Sequence, residues 1–294
     1  MKSPFRVSVI TDEITQDFGR ALEIIAGDFG LDWVELRGMW GKNLMALDAK
    51  EIAEARRLLE LHHLRVCDVA SPLFKVDWPG APKSSYSPQR RDQFGADYTF
   101  KQQEEILERS LELARVFQCD RVRCFDFWRL EDPSPYRIAM DEKLRAAAKK
   151  AAEKDLILLI ENEFDCNTAL STEAVRTLDA VREPNFMLNW DPGNAAMGGE
   201  APYPAGYDRL PKKRIGHVHC KNAERKPDGT GIEWASMGHG IIDWTAQFRS
   251  LKQDGFRGAV SLETHWHGAG TPEASTRQCW AEMKEELQDA GALS

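Results

Sequence analysis

Four short apolar runs in the second half of the chain each end at a side chain that can bind a metal ion. A continuous apolar run is typical of a strand that is buried on both faces of a parallel sheet. If the four strands are neighbours, three carboxylates and one imidazole meet at one edge, where they can hold a divalent metal and leave positions open for a substrate. The runs and the residues that follow them are Leu156–Ile160 with Glu161, Phe186–Trp190 with Asp191, Ile215–Val218 with His219, and Ala259–Leu262 with Glu263.

Eight strand-like runs alternate with helical patterns along the whole chain. Eight parallel strands, each followed by a helix, close into a (β/α)8 barrel, and one such domain commonly has the length of this 294-residue chain. We therefore predict an α/β fold with a single TIM-barrel domain over residues 1–294. The predicted strands are Arg6–Ile10, Trp33–Leu36, Arg65–Val69, Arg121–Phe125, Leu156–Glu161, Phe186–Asp191, Arg214–Cys220 and Ala259–Glu263.

The segments between these strands include helices and two long connections. Asp48 and Glu51 have the spacing of a capping box and begin a predicted helix that runs to Leu64. Connections at about 71–97 and 194–211 are rich in proline and longer than ordinary turns. Both follow strands, which places them on the face of a barrel where active sites are built. We expect a lid or a subunit contact there, with plain disorder as the alternative.

Composition and charge exclude several classes of protein. A net charge of −8 disfavours a protein that binds nucleic acid through a broad basic face. No stretch approaches the 18 consecutive apolar residues that span a membrane, and the N-terminus lacks the apolar run of a signal peptide. The six cysteines form no CxxC pair and are expected to be buried thiols. We expect a soluble, cytoplasmic protein.

Taken together, the motifs resemble the xylose isomerase-like TIM barrels, a superfamily of sugar isomerases and epimerases with an endonuclease branch. The resemblance implies that Glu161, Asp191, His219 and Glu263 bind a divalent metal. Oxygen ligands with one imidazole suit Mn²⁺ best, with Mg²⁺, Co²⁺ or Zn²⁺ as alternatives. It also implies a homo-oligomer, a dimer or a tetramer. The motifs are Ile160-Glu-Asn162, Asn189-Trp-Asp-Pro-Gly-Asn194, Gly216-His-Val-His-Cys-Lys221, Gly240-Ile-Ile-Asp243 and Ser261-Leu-Glu263.

The activity implied by the resemblance is isomerisation or epimerisation of a sugar or keto-polyol through a metal-stabilised enediolate. In the epimerases, two glutamates lie on opposite faces of the substrate, so Glu161 and Glu263 are the expected proton-transfer residues. A dehydratase or lyase that uses the same enolate chemistry is the first alternative. A non-catalytic sugar-binding barrel is the second. The endonuclease branch is disfavoured because it needs further histidine ligands and the chain has none between residues 64 and 216.

Seven further residues are candidates for contact with the carbohydrate substrate. An inward arginine in the fourth strand is costly to bury unpaired, so it is expected to meet Glu161 or the substrate. His217 shares its strand face with His219, and either is a possible metal ligand, although the resemblance favours His219. For the remainder, the alternatives are solvated loop charges or packing against a loop. The candidates are Arg123, Trp128, Asn194, His217, Lys221, Arg225 and His265.

Two positions depart from the pattern of the ketose 3-epimerases. Those enzymes carry a second glutamate six residues after the first ligand and a histidine three residues after the aspartate. This chain has Asn167 and Asn194 there. The departures disfavour a simple ketohexose as the substrate, whereas the metal ligands and the glutamate pair are retained. His265 is a candidate acid for a leaving hydroxyl in the dehydratase alternative.

Overall fold

Eight parallel strands form the barrel in a computed structural model that describes residues 2–85 and 97–294. Their order around the sheet is β1-β8-β7-β6-β5-β4-β3-β2, and every neighbouring pair is parallel. A parallel bridge between Ile10 and Glu35 joins the two ends of the sheet. The predicted α/β TIM barrel is confirmed. The strands are β1 (Arg6–Val9), β2 (Trp33–Leu36), β3 (Arg65–Leu73), β4 (Arg121–Cys124), β5 (Ile157–Glu161), β6 (Phe186–Trp190), β7 (Ile215–Cys220) and β8 (Ala259–Leu262).

Helices between the strands cover the outside of the barrel. The predicted capping box of α2 is present, because Asp48 and Glu51 each accept a hydrogen bond from the other's backbone N–H. This helix ends at Leu61, earlier than predicted, since His63 adopts a left-handed backbone conformation with φ of 55°. The helices are α1 (Phe18–Glu23), α2 (Ala49–Leu61), α3 (Gln103–Val116), α4 (Arg137–Ala152), α5 (Ser171–Ala180), α6 (Pro192–Met197), α7 (Tyr207–Arg209), α8 (Trp244–Gln253) and α9 (Pro272–Asp289).

The two predicted long connections differ from expectation. Strand β3 continues to Leu73, so the first connection begins later, and its residues 86–96 lie outside the described residues. The second connection, 194–211, is largely helical rather than an open loop. It starts inside α6, passes through a wide helical turn at Pro202–Gly206 and includes α7. Asp191 caps α6 and Pro192 occupies its first position, which is a strong local signal for a helix start.

Two small hairpins interrupt the βα pattern at the carboxyl end of the barrel. The first joins Gly38–Met39 to Lys42–Asn43, directly after β2. The second, which we call the distal hairpin, joins Asn222–Arg225 to Ile232–Ala235 after β7. All six cysteines are buried and unpaired, as expected. None of the helices within the described ranges combines the length and hydropathy that crossing a membrane requires.

Candidate metal centre

The four side chains predicted as ligands converge at the carboxyl ends of β5 to β8. Glu161 is the last residue of β5, and His219 lies near the end of β7. Asp191 and Glu263 directly follow β6 and β8. All four are at most 3% exposed, and one ligand atom from each lies within 4.8 Å of the other three. The parallel register produces this meeting, because it aligns consecutive strand ends at one edge.

Nδ1 of His219 lies at the centre of the cluster. It is 3.2 Å from Oε1 of Glu161, 3.2 Å from Oε2 of Glu263 and 3.7 Å from Oδ2 of Asp191. Burial alone would lower the pKa of His219, but the surrounding carboxylates, Glu35 first among them, raise it well above its ordinary value. The negative potential that holds a proton on this ring also attracts a metal cation in the proton's place.

The two carboxylate oxygens of Asp191 have different roles, since one caps a helix and the other faces the cluster. Oδ1 accepts a hydrogen bond of 2.8 Å from the backbone N–H of Asn194 and so caps α6. Oδ2 faces His219 and Lys221. The side chain of Asn162 fixes the backbone of residue 191 on both sides, since its oxygen accepts from Asp191 N at 2.7 Å and its nitrogen donates to Asp191 O at 2.7 Å. The direction of Oδ2 is therefore set by two elements, β5 and α6.

Two cations hold Glu263. Lys221 Nζ lies 2.7 Å from Oε2 of Glu263 and 2.9 Å from Oδ2 of Asp191, and Arg37 Nη1 lies 2.9 Å from Oε1 of Glu263. Burial alone would raise the pKa of Glu263, but Lys221 and His219 hold it well below its ordinary value. Glu263 is thus an ionised carboxylate with Oε2 directed into the cluster.

Glu161 has a separate set of partners. Its Oε1 accepts a hydrogen bond of 3.2 Å from the Asn194 side chain, and its Oε2 lies 3.1 Å from Arg123 Nη1. Burial alone would raise the pKa of Glu161, but His219 and Arg123 lower it to about 2. The sequence-based expectation that Arg123 meets a carboxylate agrees with this contact.

The donor atoms of the cluster fit a divalent cation. Glu161 Oε2 and Asp191 Oδ2 are buried, and neither accepts a well-directed hydrogen bond from the described residues, although a cationic side chain lies near each. Buried acceptor atoms in native proteins normally have a partner, so each of these two oxygens can still bind one, such as a metal ion. Three carboxylates and one imidazole could therefore hold Mn²⁺, Mg²⁺, Co²⁺ or Zn²⁺.

Three predicted substrate-binding residues border the cluster directly. They are Lys221, Asn194 and His265. His265 has a side chain that is 20% exposed, and its Nδ1 lies 3.6 Å from Glu13 Oε1 and 4.0 Å from Glu263 Oε1. Burial and the nearby charge of Lys221 lower the pKa of His265 well below its ordinary value, so its ring is neutral.

Three other predicted residues lie elsewhere. Arg225 is exposed at the end of the first strand of the distal hairpin. Trp128 packs with Phe125 and Cys166 in a small buried cluster, so the packing alternative describes it better than stacking on a sugar. His217 is fully buried within the barrel, and its Nε2 lies 3.0 Å from Glu35 Oε2. That position favours a supporting role over direct contact with a substrate.

Four residues of the site were not singled out by sequence reasoning. Glu35 and Arg37 share one face of β2 and its continuation, and that alternation in an apolar run was the available signal. Arg37 is buried and pairs with Asp12, Glu13 and Glu263. Burial raises the pKa of Glu13 to about 7 against the opposing charge of Arg37.

The fourth missed residue is Trp234 on the distal hairpin. Its ring centroid lies 5.0 Å from Lys221 Nζ, and its ring meets that of His265 edge-to-face at 5.1 Å. The ring centroid of Phe164 lies 6.3 Å from that of Trp234. The Pro227-Asp-Gly229 turn was the available signal for the hairpin, but nothing in the sequence places Trp234 over Lys221.

Asn167, one of the two departures, has a structural role. Its Nδ2 donates to the carbonyls of Asp126 and Trp128 at 2.9 and 3.1 Å, and its Oδ1 accepts from Leu130 N at 2.9 Å. These bonds hold the segment that follows β4. The amide therefore replaces the glutamate of the ketose 3-epimerase pattern with a loop-holding contact.

Comparison with known proteins agrees with this fold. The family model of the xylose isomerase-like TIM barrel matches residues 25–286. No curated protein sequence matches the chain. Three similar solved structures are the IOLI protein with a bound zinc atom, the probable 3-DHS dehydratase AsbF of Bacillus anthracis, and the D-allulose 3-epimerase of Methylomonas sp.. Their identities are 16%, 18% and 17%, and their TM-scores are 0.72, 0.70 and 0.66. The alignments cover 99%, 95% and 98% of this chain and 100%, 98% and 99% of theirs.

Proposed function

The chain belongs to the xylose isomerase-like TIM barrel family, and we propose that it is a divalent-metal-dependent isomerase or epimerase of a sugar or keto-polyol. The observation that carries the proposal is the meeting of Glu161, Asp191, His219 and Glu263 within 4.8 Å at the active-site end of the barrel. The D-allulose 3-epimerase neighbour supports the reaction class. Mn²⁺ is the proposed metal, with Mg²⁺, Co²⁺ and Zn²⁺ as alternatives, and zinc is bound in one neighbour.

Glu161 and Glu263 are the proposed proton-transfer residues. Glu161 ends β5 and Glu263 directly follows β8, and β6 and β7 lie between these strands, so the two carboxylates reach the site from different walls of the barrel. Removal of a proton from one side and its return from the other inverts a carbon centre, and this separation supports that chemistry. When bound, the divalent cation would supply Lewis-acid stabilisation of the negative charge that develops on the substrate's carbonyl oxygen.

Two further residues are proposed to bind the substrate, and a third to position a catalytic glutamate. Lys221, which is 4% exposed, would donate to a hydroxyl or the carbonyl oxygen. The Asn194 amide, held by Glu161 and the carbonyl of Asn162, would position the oxygen of that glutamate. Trp234 would lie against the apolar C–H face of a sugar or cyclitol.

A dehydratase is the second candidate, and one observation favours it. Glu13, whose pKa is raised to about 7 by burial, lies 3.6 Å from His265 beside Glu263. A protonated group in that place could assist the departure of a β-hydroxyl after the same proton abstraction. The probable 3-DHS dehydratase among the neighbours supports this candidate.

Solvent deuterium exchange tests the two candidates together. The Mn²⁺-loaded protein is incubated in D2O with ketoses and keto-polyols, and the products are followed by mass spectrometry and NMR. An isomerase or epimerase introduces one deuterium at the carbon beside the carbonyl, whereas a dehydratase gives a product lighter by one water. Metal binding without exchange on any compound would contradict both candidates and favour a non-catalytic sugar-binding barrel.

Replacement of either glutamate tests the proposed roles. Glu161→Gln and Glu263→Gln each remove the proton acceptor but keep its shape, so we expect exchange to fall by about 10³-fold at saturating metal. Glu163→Gln is the matched control, because Glu163 is two residues from Glu161 yet pairs with Lys75 at 2.8 Å outside the cluster. Full exchange activity in either variant would remove that glutamate from the mechanism.

The oligomeric state stays a prediction. A homodimer or tetramer is expected from the family resemblance, and light scattering coupled to size-exclusion chromatography measures it directly. The substrate class, a small-molecule carbohydrate, agrees with the D-allulose epimerase neighbour.

A further inference from the structure

Glu35 lies fully buried inside the barrel, directly beneath the candidate metal centre. Each of its oxygens faces one histidine of β7. Oε1 is 2.9 Å from Nε2 of His219, and Oε2 is 3.0 Å from Nε2 of His217. Because β1 and β8 separate β2 from β7 around the sheet, these contacts cross the barrel interior. The Glu35 carboxylate therefore links β2 to β7 across the barrel interior, and one of its two partners is the proposed metal ligand His219.

We propose that Glu35 is a positioning residue that holds the His219 ring with Nδ1 directed at the metal position. The inference rests on the proposed metal centre and adds to it a residue that touches neither metal nor substrate. Metal-binding histidines generally donate their second ring N–H to a carboxylate or carbonyl, and loss of that partner commonly weakens metal affinity by 10- to 100-fold. Here the partner comes from β2, a strand that supplies none of the four proposed ligands.

Hydrogen-bond chemistry fixes which nitrogen of His219 is the ligand. An ionised carboxylate only accepts hydrogen bonds, so the Nε2 atoms of both histidines must carry a proton to bond with Glu35. In neutral His219 the lone pair is then on Nδ1. That nitrogen is the one that lies 3.2 Å from oxygens of Glu161 and Glu263.

Asn189 is the other polar group at Nε2 of His219. Its amide lies 3.1 Å from that nitrogen, and its Oδ1 has no hydrogen-bond partner among the described residues when Nδ2 faces the ring. Because a protonated Nε2 cannot accept from an N–H, the amide must present Oδ1 to the ring, where it is a second, neutral acceptor for the same N–H. Glu35 is then the only charged acceptor for this N–H within the described residues.

His217 completes the arrangement by fixing the second oxygen of Glu35. With both oxygens engaged, the carboxylate cannot rotate away from His219 without losing a buried hydrogen bond. Nδ1 of His217 is buried and has no partner among the described residues. A proton forced onto that nitrogen would therefore be left unsatisfied, which makes the Nε2–H form of His217 the favoured one.

These facts predict the behaviour of Glu35→Gln. An amide presents its oxygen to one histidine and its NH₂ group to the other. If NH₂ faces His219, that ring must carry its proton on Nδ1 and cannot bind metal. If NH₂ faces His217, the proton of that ring moves to the unsatisfied Nδ1. Both arrangements are costly, so we expect Mn²⁺ affinity to fall by roughly 10- to 100-fold.

The decisive experiment is Mn²⁺ titration, with free Mn²⁺ measured by electron paramagnetic resonance, on five forms of the full chain. They are the wild type, Glu35→Gln, Glu35→Asp, His217→Gln and the double variant E35Q/H217Q. His217→Gln is the control, because its amide nitrogen can still donate to Glu35, and we expect its affinity within about threefold of wild type. Glu35→Asp keeps the negative charge but shortens the side chain, so its Mn²⁺ affinity should fall as in Glu35→Gln. It provides a second test of the positioning role if Glu35→Gln does not fold.

The double variant separates positioning from general stability. In E35Q/H217Q the NH₂ of residue 35 can donate to the oxygen of residue 217, which leaves its own oxygen free to accept from His219. We therefore expect affinity to recover at least about threefold relative to Glu35→Gln. A merely structural role for Glu35 predicts the reverse, since two core substitutions destabilise more than one.

The possible results separate a failure of the positioning role from a failure of the metal centre. Wild-type affinity in both Glu35 variants, or a double variant weaker than Glu35→Gln, would overturn the positioning role while the metal centre stands. A wild type that binds no Mn²⁺ would overturn the metal centre, and the positioning role with it. Circular dichroism of each form without added metal confirms that the compared proteins share one fold.

Discussion

Lys221 is the residue whose charge most directly opposes a bound cation. Its Nζ contacts oxygens of Asp191 and Glu263 at 2.9 and 2.7 Å, and both carboxylates are proposed ligands. Lys221→Met removes a buried positive charge beside the metal position, so divalent cations should bind on the order of tenfold more tightly. The same variant should lose most of the proposed proton exchange, because the substrate loses a donor. Calorimetric titration with Mn²⁺ and the deuterium assay measure the two effects.

Lys213→Met is the matched control for this prediction, because Lys213 is an exposed lysine just before β7. We expect neither its metal affinity nor its exchange rate to change by more than about twofold. If Lys221→Met binds metal more weakly than the wild type, its ammonium organises the carboxylates more than it repels the cation. That result would assign Lys221 to the support of the site rather than to the substrate.

At the scale of single residues, the sequence predicts the proposed metal ligands better than the side chains that hold those ligands in place. Glu161 and Asp191 were predictable because each ends an apolar run, and strand ends meet in a parallel barrel. Glu35 lies in an equally apolar run, but its role depends on contact with β7 across the barrel. Such a contact depends on the curvature of the closed sheet, which no spacing in a single sequence reports.

Secondary-structure elements were likewise predictable where contacts between nearby residues determine them. The start of α2 was predictable because its capping box is a contact between residues three apart. The helical path of 194–211 was missed although Asp191 and Pro192 signal the start of α6, and beyond α6 the chain contacts a distant element, because Glu200 accepts a hydrogen bond from Ser171 N at the start of α5. The ends of the strands were predicted to within one or two residues except at β3. There Ser71 and Leu73 continue the strand through a proline that normally ends one.

Helix α9 carries an acidic side chain whose ionisation opposes folding. Glu286 is mostly buried, and burial together with Glu282, Asp243, Asp289 and the adjacent glutamate raises its pKa from 4.5 to about 8. A raised pKa means that the folded protein holds this proton between about pH 4.5 and 8 while the unfolded chain releases it. The free energy of unfolding therefore falls as the pH rises through this window, by at most about 1.4 kcal/mol per pH unit.

Glu286→Gln should remove this pH dependence. The variant should resemble the wild type near pH 4.5 and become progressively more stable than it up to pH 8. Urea unfolding at half-unit pH steps measures the difference. Glu142→Gln, at an exposed position of α4 away from Glu286, is the control and should leave the slope almost unchanged. A constant offset between Glu286→Gln and the wild type at every pH would show that the Glu286 carboxyl is not protonated in the folded protein.

At the scale of the whole molecule, the barrel concentrates acidic groups at one end of its interior. Four strands contribute the cluster of Glu161, Asp191, His219 and Glu263, and all four side chains are buried. A divalent cation that binds the folded barrel and not the unfolded chain therefore stabilises the entire fold by mass action.

Thermal unfolding with and without metal measures this stabilisation. With Mn²⁺ at 100 times its dissociation constant, the gain is about 2.7 kcal/mol, which corresponds to a rise in Tm of roughly 5 °C for a chain of this size. Asp191→Asn removes one ligand charge but keeps an N-cap residue for α6, so it should lose the rise without disrupting the helix. Asp243→Asn is the matched control, since Asp243 caps α8 in the same way outside the cluster and should retain the full rise. An equal rise in both variants would place the stabilising cation at a different site on the molecule.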